Sequence, residues 1–198
     1  PFYGELAAAY AARGYDAVVG CWFSLTQPPA DGIPCPHAPV LAGVTEAAVG
    51  TVDAIVGAAS AITKVAPGHL AVAGYSRGGG MAALWAARTG SRTPIVDFAG
   101  MVTGQVVTGP MAGEVDVTRS AASIVAPVLM LHGHADSIVS VDQSRALLTG
   151  LRNAGRDARL LEYSTCGTSD CNHDWIYRSD QRDDMVVRST DWLAGHMG

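Results

Sequence analysis

The stretch Gly74-Tyr75-Ser76-Arg77-Gly78 sets a serine between two glycines, behind an apolar run and ahead of an Ala-rich one. If the first run is a strand and the second a helix, Ser76 sits on a sharp turn and its hydroxyl projects from the end of a sheet. The glycines then remove side chains that would collide where strand and helix approach. The amide end of the helix faces the serine and favours negative charge developing on a reacting oxygen. The backbone N–H of Arg77 is one donor for that oxyanion. The plainer alternative is a Gly-rich turn carrying a solvated serine.

A serine hydroxyl is a weak nucleophile at neutral pH. It needs a base, usually histidine, held by a carboxylate. Of six histidines, His37 lies between prolines, His69 precedes a strand at the far edge of the sheet, and His196 is in the tail. His132 and His134 lie near the end of an apolar strand, ahead of the best acid. His173, in a polar loop after the last strand, is the expected base. Asp136, in His132-Gly133-His134-Ala135-Asp136, is the expected acid. Asp142 reads as a first-turn helix residue, and Asp170 and Asp174 are sequence neighbours of His173. The order Ser76, Asp136, His173 has spacings of 60 and 37 residues.

Period and punctuation supply the elements that would position these groups. Helices are expected over Glu5–Arg13, Val44–Val65 (ended by Pro67-Gly68), Gly78–Thr89, Asp142–Ala154 and Gln181–His196. Short apolar runs at Asp16–Phe23, Leu70–Tyr75, Pro94–Ala99, Val125–His132 and Ala158–Tyr163 read as buried strands. Ser24–Pro39 holds five prolines and one glycine and reads as a loop. Val102–Ser123 reads as irregular, a small lid. Unbroken apolar strands alternating with helices imply a mostly parallel sheet in a three-layer α/β/α sandwich. Chemistry in such sheets lies at the carboxyl ends of the strands, which picks out the loops after Tyr75, His132 and Tyr163. All 198 residues fit one domain.

The order serine, aspartate, histidine belongs to one triad-bearing fold. With it, three segments carry a resemblance. They are the opening helix running into Gly14-Tyr15-Asp16-Ala17-Val18-Val19, the stretch Val72-Ala73-Gly74-Tyr75-Ser76-Arg77-Gly78-Gly79, and Pro127-Val128-Leu129-Met130-Leu131-His132-Gly133 with Asp136 and His173. The chain resembles the α/β-hydrolase superfamily, specifically the dienelactone-hydrolase-like and prolyl-oligopeptidase-like serine esterases. The resemblance implies an acyl-enzyme mechanism on Ser76 with no metal or organic cofactor. Dienelactone hydrolases proper use a cysteine nucleophile, so the serine points to the esterase branch. In that family a strand precedes the opening helix and supplies a second oxyanion amide. Nothing precedes Pro1 here, so the chain reads as lacking its N-terminal strands, with a gap in the sheet and Phe2 or Tyr3 as the substitute donor. Peptidase, acyltransferase and a catalytically inactive binding protein on this fold are the alternatives.

Trp22, Tyr75, Met101 and Trp175 lie near the three loops and read as substrate-binding residues, or equally as core. An open site would suit a small, medium or polymeric ester.

Composition narrows the partners. Charged residues make up 16% of the chain and hydrophobic ones 48%, with a net charge of −5 and one lysine, Lys64. A mildly acidic chain with no basic run has no footprint for nucleic acid or for an anionic membrane surface. The longest apolar stretch, Ala38 to Ile62, is Ala/Gly-rich and interrupted by Glu46 and Asp53, which argues against a spanning helix. The four cysteines fall into two local pairs, expected as the disulfides Cys21–Cys35 and Cys166–Cys171. Those imply an oxidising compartment, secreted or periplasmic; four free thiols in the cytoplasm are the alternative. A zinc site at Cys166, Cys171 and His173 is poorly spaced.

Overall fold

Four apolar runs pair side by side as the sheet of the computed structural model, which describes residues 2–20, 22, 44–66, 68–107, 109–110, 114–166 and 170–197. In chain order the elements are α1 (Phe2–Ala11), α2 (Val49–Thr63), β1 (Val72–Tyr75), α3 (Arg77–Thr89), β2 (Ile95–Phe98), β3 (Gln105–Val106), β4 (Gly109–Pro110), β5 (Val128–Gly133), α4 (Asp142–Asn153), β6 (Ala158–Tyr163) and α5 (Ser179–Leu193). The main sheet has the order β1-β2-β5-β6, and every pair in it is parallel. The hairpin β3–β4 stands apart as a two-stranded antiparallel sheet.

Alternation along the strands builds two cores. Ile95, Val128 and Met130 point to a cluster shared with Val52 of α2, Met81 and Leu84 of α3, and Leu147 and Leu151 of α4. Val96, Phe98, Leu129 and Leu131 point the other way, to Leu6 and Tyr10 of α1 and Met185 and Trp192 of α5. A period-2 strand with both faces apolar requires helices on both sides, and the three layers follow.

The structure departs from the sequence reading in three places. Residues 16–20, expected as part of a buried strand, are exposed and form no strand pairing among the described residues. A run becomes a strand only beside a neighbour, and among the described residues β1 pairs with β2 alone. A cleft of about 520 Å3 runs along the other side of β1, lined by Leu6, Val19, Trp22, Ile55, Val72 and Tyr75 among others.

Second, α2 ends at Thr63, where Lys64 turns left-handed at φ 53°, before the expected Pro67-Gly68 stop. By length and mean hydropathy alone, 1.2, residues 46–63 pass for a membrane-crossing helix. Their acidic groups nevertheless bond to α3. Arg88 Nε donates to Glu46 at 2.9 Å and Trp85 Nε1 to Asp53 at 3.0 Å.

Third, the segment read as irregular has both of its ends packed into the fold. Val102, Val117 and Ala121 are buried in the first core, and Val117–Ser123 forms a 3-10 turn. Its Asp116 cap accepts the Thr118 amide at 3.1 Å.

Candidate active site

Ser76 occupies the turn between β1 and α3 with φ 54° and ψ −120°, a backbone conformation that L-residues rarely adopt. Four hydrogen bonds hold it there. Its amide donates to the Phe98 carbonyl at 2.9 Å, and its carbonyl accepts from Gly79, Gly80 and Met101 at 3.1, 3.2 and 3.0 Å. The turn is possible because position 74 is glycine. A Cβ there would run into the Gly78 backbone in the first turn of α3. Arg77 is the first helical residue, so its N–H belongs to the turn whose amides lack intrahelical acceptors. Its guanidinium reaches sideways to Glu114, Nε to Oε1 at 3.0 Å, and the buried Glu114 carboxylate also accepts the Val44 amide at 2.8 Å.

Asp136 lies three residues beyond the end of β5. Its Oδ1 accepts the amides of Ile138 and Val139 at 2.9 and 2.8 Å. Its Oδ2 accepts Nδ1–H of His173 at 2.7 Å and lies 3.2 Å from Nε2 of His132. Burial pushes this carboxyl up, but the bonds from His132 and His173 and the Val139 amide outweigh it. Asp136 is therefore held well below the usual carboxylate range.

His173 opens a 3-10 turn over His173–Tyr177, with the Asn172 side chain accepting the Asp174 amide at its start. Because Nδ1 donates to Asp136, Nε2 is the acceptor, and it receives the Ser76 hydroxyl at 2.9 Å. The His173 carbonyl accepts Tyr75 O–H at 3.0 Å, and the two rings lie 5.0 Å apart between centroids. Cys166 and Cys171 form a disulfide just ahead of His173, so neither is a thiolate available to a metal. Cys21 and Cys35 lie outside the described residues.

Thus Ser76, His173 and Asp136, spread along the sequence, meet in one hydrogen-bonded line at the carboxyl end of the sheet. The residues expected to touch substrate divide differently. Trp175 and Met101 are each 1% exposed. Trp175 stacks on Tyr163 at 4.4 Å, and Met101 packs in the first core. Both are core residues, closed to a substrate by the strands and helices around them. Tyr75 braces His173. Trp22 is half-buried and lines the cleft beside β1. Phe2 is the first residue of α1. Sequence reasoning passed over Glu114 and His132, since nothing in their spacing says that they bond to Arg77 and Asp136.

A buried acid lies under this turn. Asp97, on β2, is 1% exposed. No side chain among the described residues hydrogen-bonds to either of its oxygens. The Cα atoms of Gly79 and Gly100 crowd against it, leaving no space for a Cβ. Burial pushes its carboxyl up to about 7, with the charge of His132 and the Gly100 amide pulling the other way.

Comparison with known proteins places the chain. The profile of the Dienelactone hydrolase family matches residues 5–196. A Yersinia pestis protein assigned as a carboxymethylenebutenolidase is 30% identical over 129 residues, which is 64% of this chain and 47% of that protein. Among solved structures, a Klebsiella pneumoniae protein assigned as a dienelactone hydrolase superposes with a TM-score of 0.59 at 22% identity. It matches over 74% of this chain and 60% of its own. The esterase PE8 superposes at 0.55 with 25% identity, over the same shares of the two chains. This chain therefore spans about half the length of the curated relative that it matches.

Proposed function

Because this chain belongs to the dienelactone hydrolase family, we propose that it hydrolyses carboxylic esters through an acyl-enzyme on Ser76. The observation that carries this reading is the line Ser76 Oγ to His173 Nε2 at 2.9 Å and His173 Nδ1 to Asp136 Oδ2 at 2.7 Å. His173 takes the hydroxyl proton as Ser76 Oγ attacks the ester carbonyl. Asp136 keeps the ring in the tautomer that can accept that proton and stabilises the imidazolium. The Arg77 N–H and a second amide, for which Phe2 is the expectation from sequence, hold the tetrahedral oxyanion. His173 then hands its proton to the leaving alcohol. Water, deprotonated by the same ring, releases the acid and restores Ser76. Every step uses protein groups, and no metal or organic cofactor takes part.

The substrate is proposed as a small or medium ester, including a polymeric one, the open-site reading of the sequence. The Cys166–Cys171 disulfide supports a secreted or periplasmic setting. The acidic charge balance supports a partner other than nucleic acid or an anionic membrane.

The test is turnover of p-nitrophenyl acetate and butyrate by the wild type and by Ser76→Ala, with a melt to show that both fold. Hydrolysis that disappears in Ser76→Ala supports the reading. Equal background rates would favour a binding protein on this fold. Faster cleavage of an acyl-aminoacyl p-nitroanilide than of the esters would favour a peptidase.

A further inference from the structure

His132 is fully buried on β5, and the mechanism above gives it no task. Its Nε2 lies 2.9 Å from the Val139 carbonyl and 3.2 Å from Asp136 Oδ2, while its Nδ1 lies 2.7 Å from Ser144 Oγ on α4. A carbonyl oxygen can only accept, so Nε2 carries a proton, shared between Val139 and Asp136. The Ser144 hydroxyl can donate to Nδ1 or accept from it, and in either case Nε2 keeps its proton on the side of Val139 and Asp136.

We propose that His132 is a positioning residue for Asp136, a second imidazole that fixes the orienting acid and takes a share of its negative charge. The proposal rests on the esterase reading of the Ser76 site. With His132 in place, Asp136 receives four donors: the Ile138 and Val139 amides on Oδ1, and two imidazole N–H groups on Oδ2. A carboxylate with both oxygens engaged from both sides cannot rotate, so Oδ2 stays in line with Nδ1 of His173. The shared oxygen also gives His173 a weaker acceptor than an undivided carboxylate would. The imidazolium formed during turnover is then stabilised without being trapped. The effect of His132 on Asp136 is as direct as that of the base, since its hydrogen bond also holds that carboxyl down.

The other ionisable groups facing His132 belong to neighbouring strands. Asp97 of β2 and Glu162 of β6 are the acids on the two strands that flank it, with Glu162 directly opposite His132. Glu162 is held by Arg145 of α4 at 2.9 Å and lies 3.9 Å from His134. These acids do not bond to Asp136, so their influence is the same in variants that differ only at the Nε2 donor.

The test compares His132→Leu, which removes the donor, with His132→Gln, whose side-chain amide can replace it. Steady-state rates on p-nitrophenyl acetate are measured across pH, with a thermal melt for each protein. In His132→Leu, kcat should fall about tenfold with KM within about twofold. The acid limb of kcat/KM should move up by roughly half a pH unit, because all of the Asp136 charge then falls on His173. His132→Gln should recover most of the rate and return the limb. A His132→Leu enzyme that loses rate with its limb unmoved, or a His132→Gln enzyme no better than His132→Leu, would make His132 a packing residue and end the proposal. Should His132→Leu fail to fold, 15N NMR of histidine-labelled wild type decides. A His132 ring protonated on Nε2 upholds the proposal, and a ring with no proton on Nε2 overturns it. That spectrum is readable without turnover. A wild type that leaves p-nitrophenyl acetate untouched would therefore sink the esterase reading while the tautomer is still judged by itself.

Discussion

The Ala135 amide donates to the Cys171 carbonyl at 3.1 Å, tying the loop that carries Asp136 to the loop that carries His173. The disulfide from Cys171 to Cys166 closes the second loop from the other side. The spacing between Asp136 and His173 is thus set by a covalent staple and a backbone bond as well as by their own contact.

Breaking the staple should act on rate more than on fold. A loop this short contributes about 2 kcal/mol by chain entropy. Cys166→Ala/Cys171→Ala should therefore melt several degrees lower yet stay folded, and kcat on p-nitrophenyl acetate should drop about tenfold as His173 samples other positions. An unchanged kcat with a lowered Tm would show that the loop holds the base without the disulfide.

Asp97 makes a pH-dependent claim on stability. Its folded-state pKa of about 7 lies above the ordinary value of 3.8, so the neutral acid is the form that the fold prefers. Its stability is fully present below the unfolded pKa and is lost as pH rises through about 7, at roughly 1.4 kcal/mol per pH unit across that window. Asp97→Asn should melt close to wild type at pH 4 and progressively above it toward pH 8. A constant Tm difference across that range would place the Asp97 ionisation elsewhere.

Gly74 should tolerate no side chain. Gly74→Ala drives a Cβ into the Gly78 backbone, which must shift the first turn of α3 at a cost of about 1–3 kcal/mol. Denaturant unfolding should show that loss, with turnover falling more steeply because Ser76 moves with the turn. A variant as stable as wild type would mean that the approach of β1 to α3 relaxes freely.

Asp136→Asn tests the orienting acid. An amide at this position can present N–H where His173 requires an acceptor, favouring the wrong tautomer. The expected loss in kcat is on the order of 10⁴-fold, with a native circular dichroism spectrum. A loss below about tenfold would leave His173 independent of position 136.

The meeting of Ser76, Asp136 and His173 was legible because each lies at a punctuated boundary. Ser76 stands between an apolar strand and an Ala-rich helix, and Asp136 and His173 follow the last two strands of the sheet. Parallel strands point their carboxyl ends the same way, so residues that share that position in sequence meet in space. Trp175 and Met101 were not legible. An apolar side chain near a strand end has the same type whether it faces a substrate or the core, and only the packing around it decides. Residues 16–20 misled for another reason: an apolar run encodes the capacity to be a strand, and pairing depends on the neighbour. His132 looked like a bystander ahead of the acid, because sequence does not say which way a ring turns within a buried strand.

The most direct measurement is covalent. A fluorophosphonate probe, incubated with wild type, Ser76→Ala and His173→Ala and mapped by peptide mass spectrometry, reads out the activated hydroxyl itself. Stoichiometric label on Ser76 in the wild type, with none in Ser76→Ala and little in His173→Ala, is the expected result. Label spread over other hydroxyls, or a native protein that takes up none, would contradict an activated nucleophile at position 76.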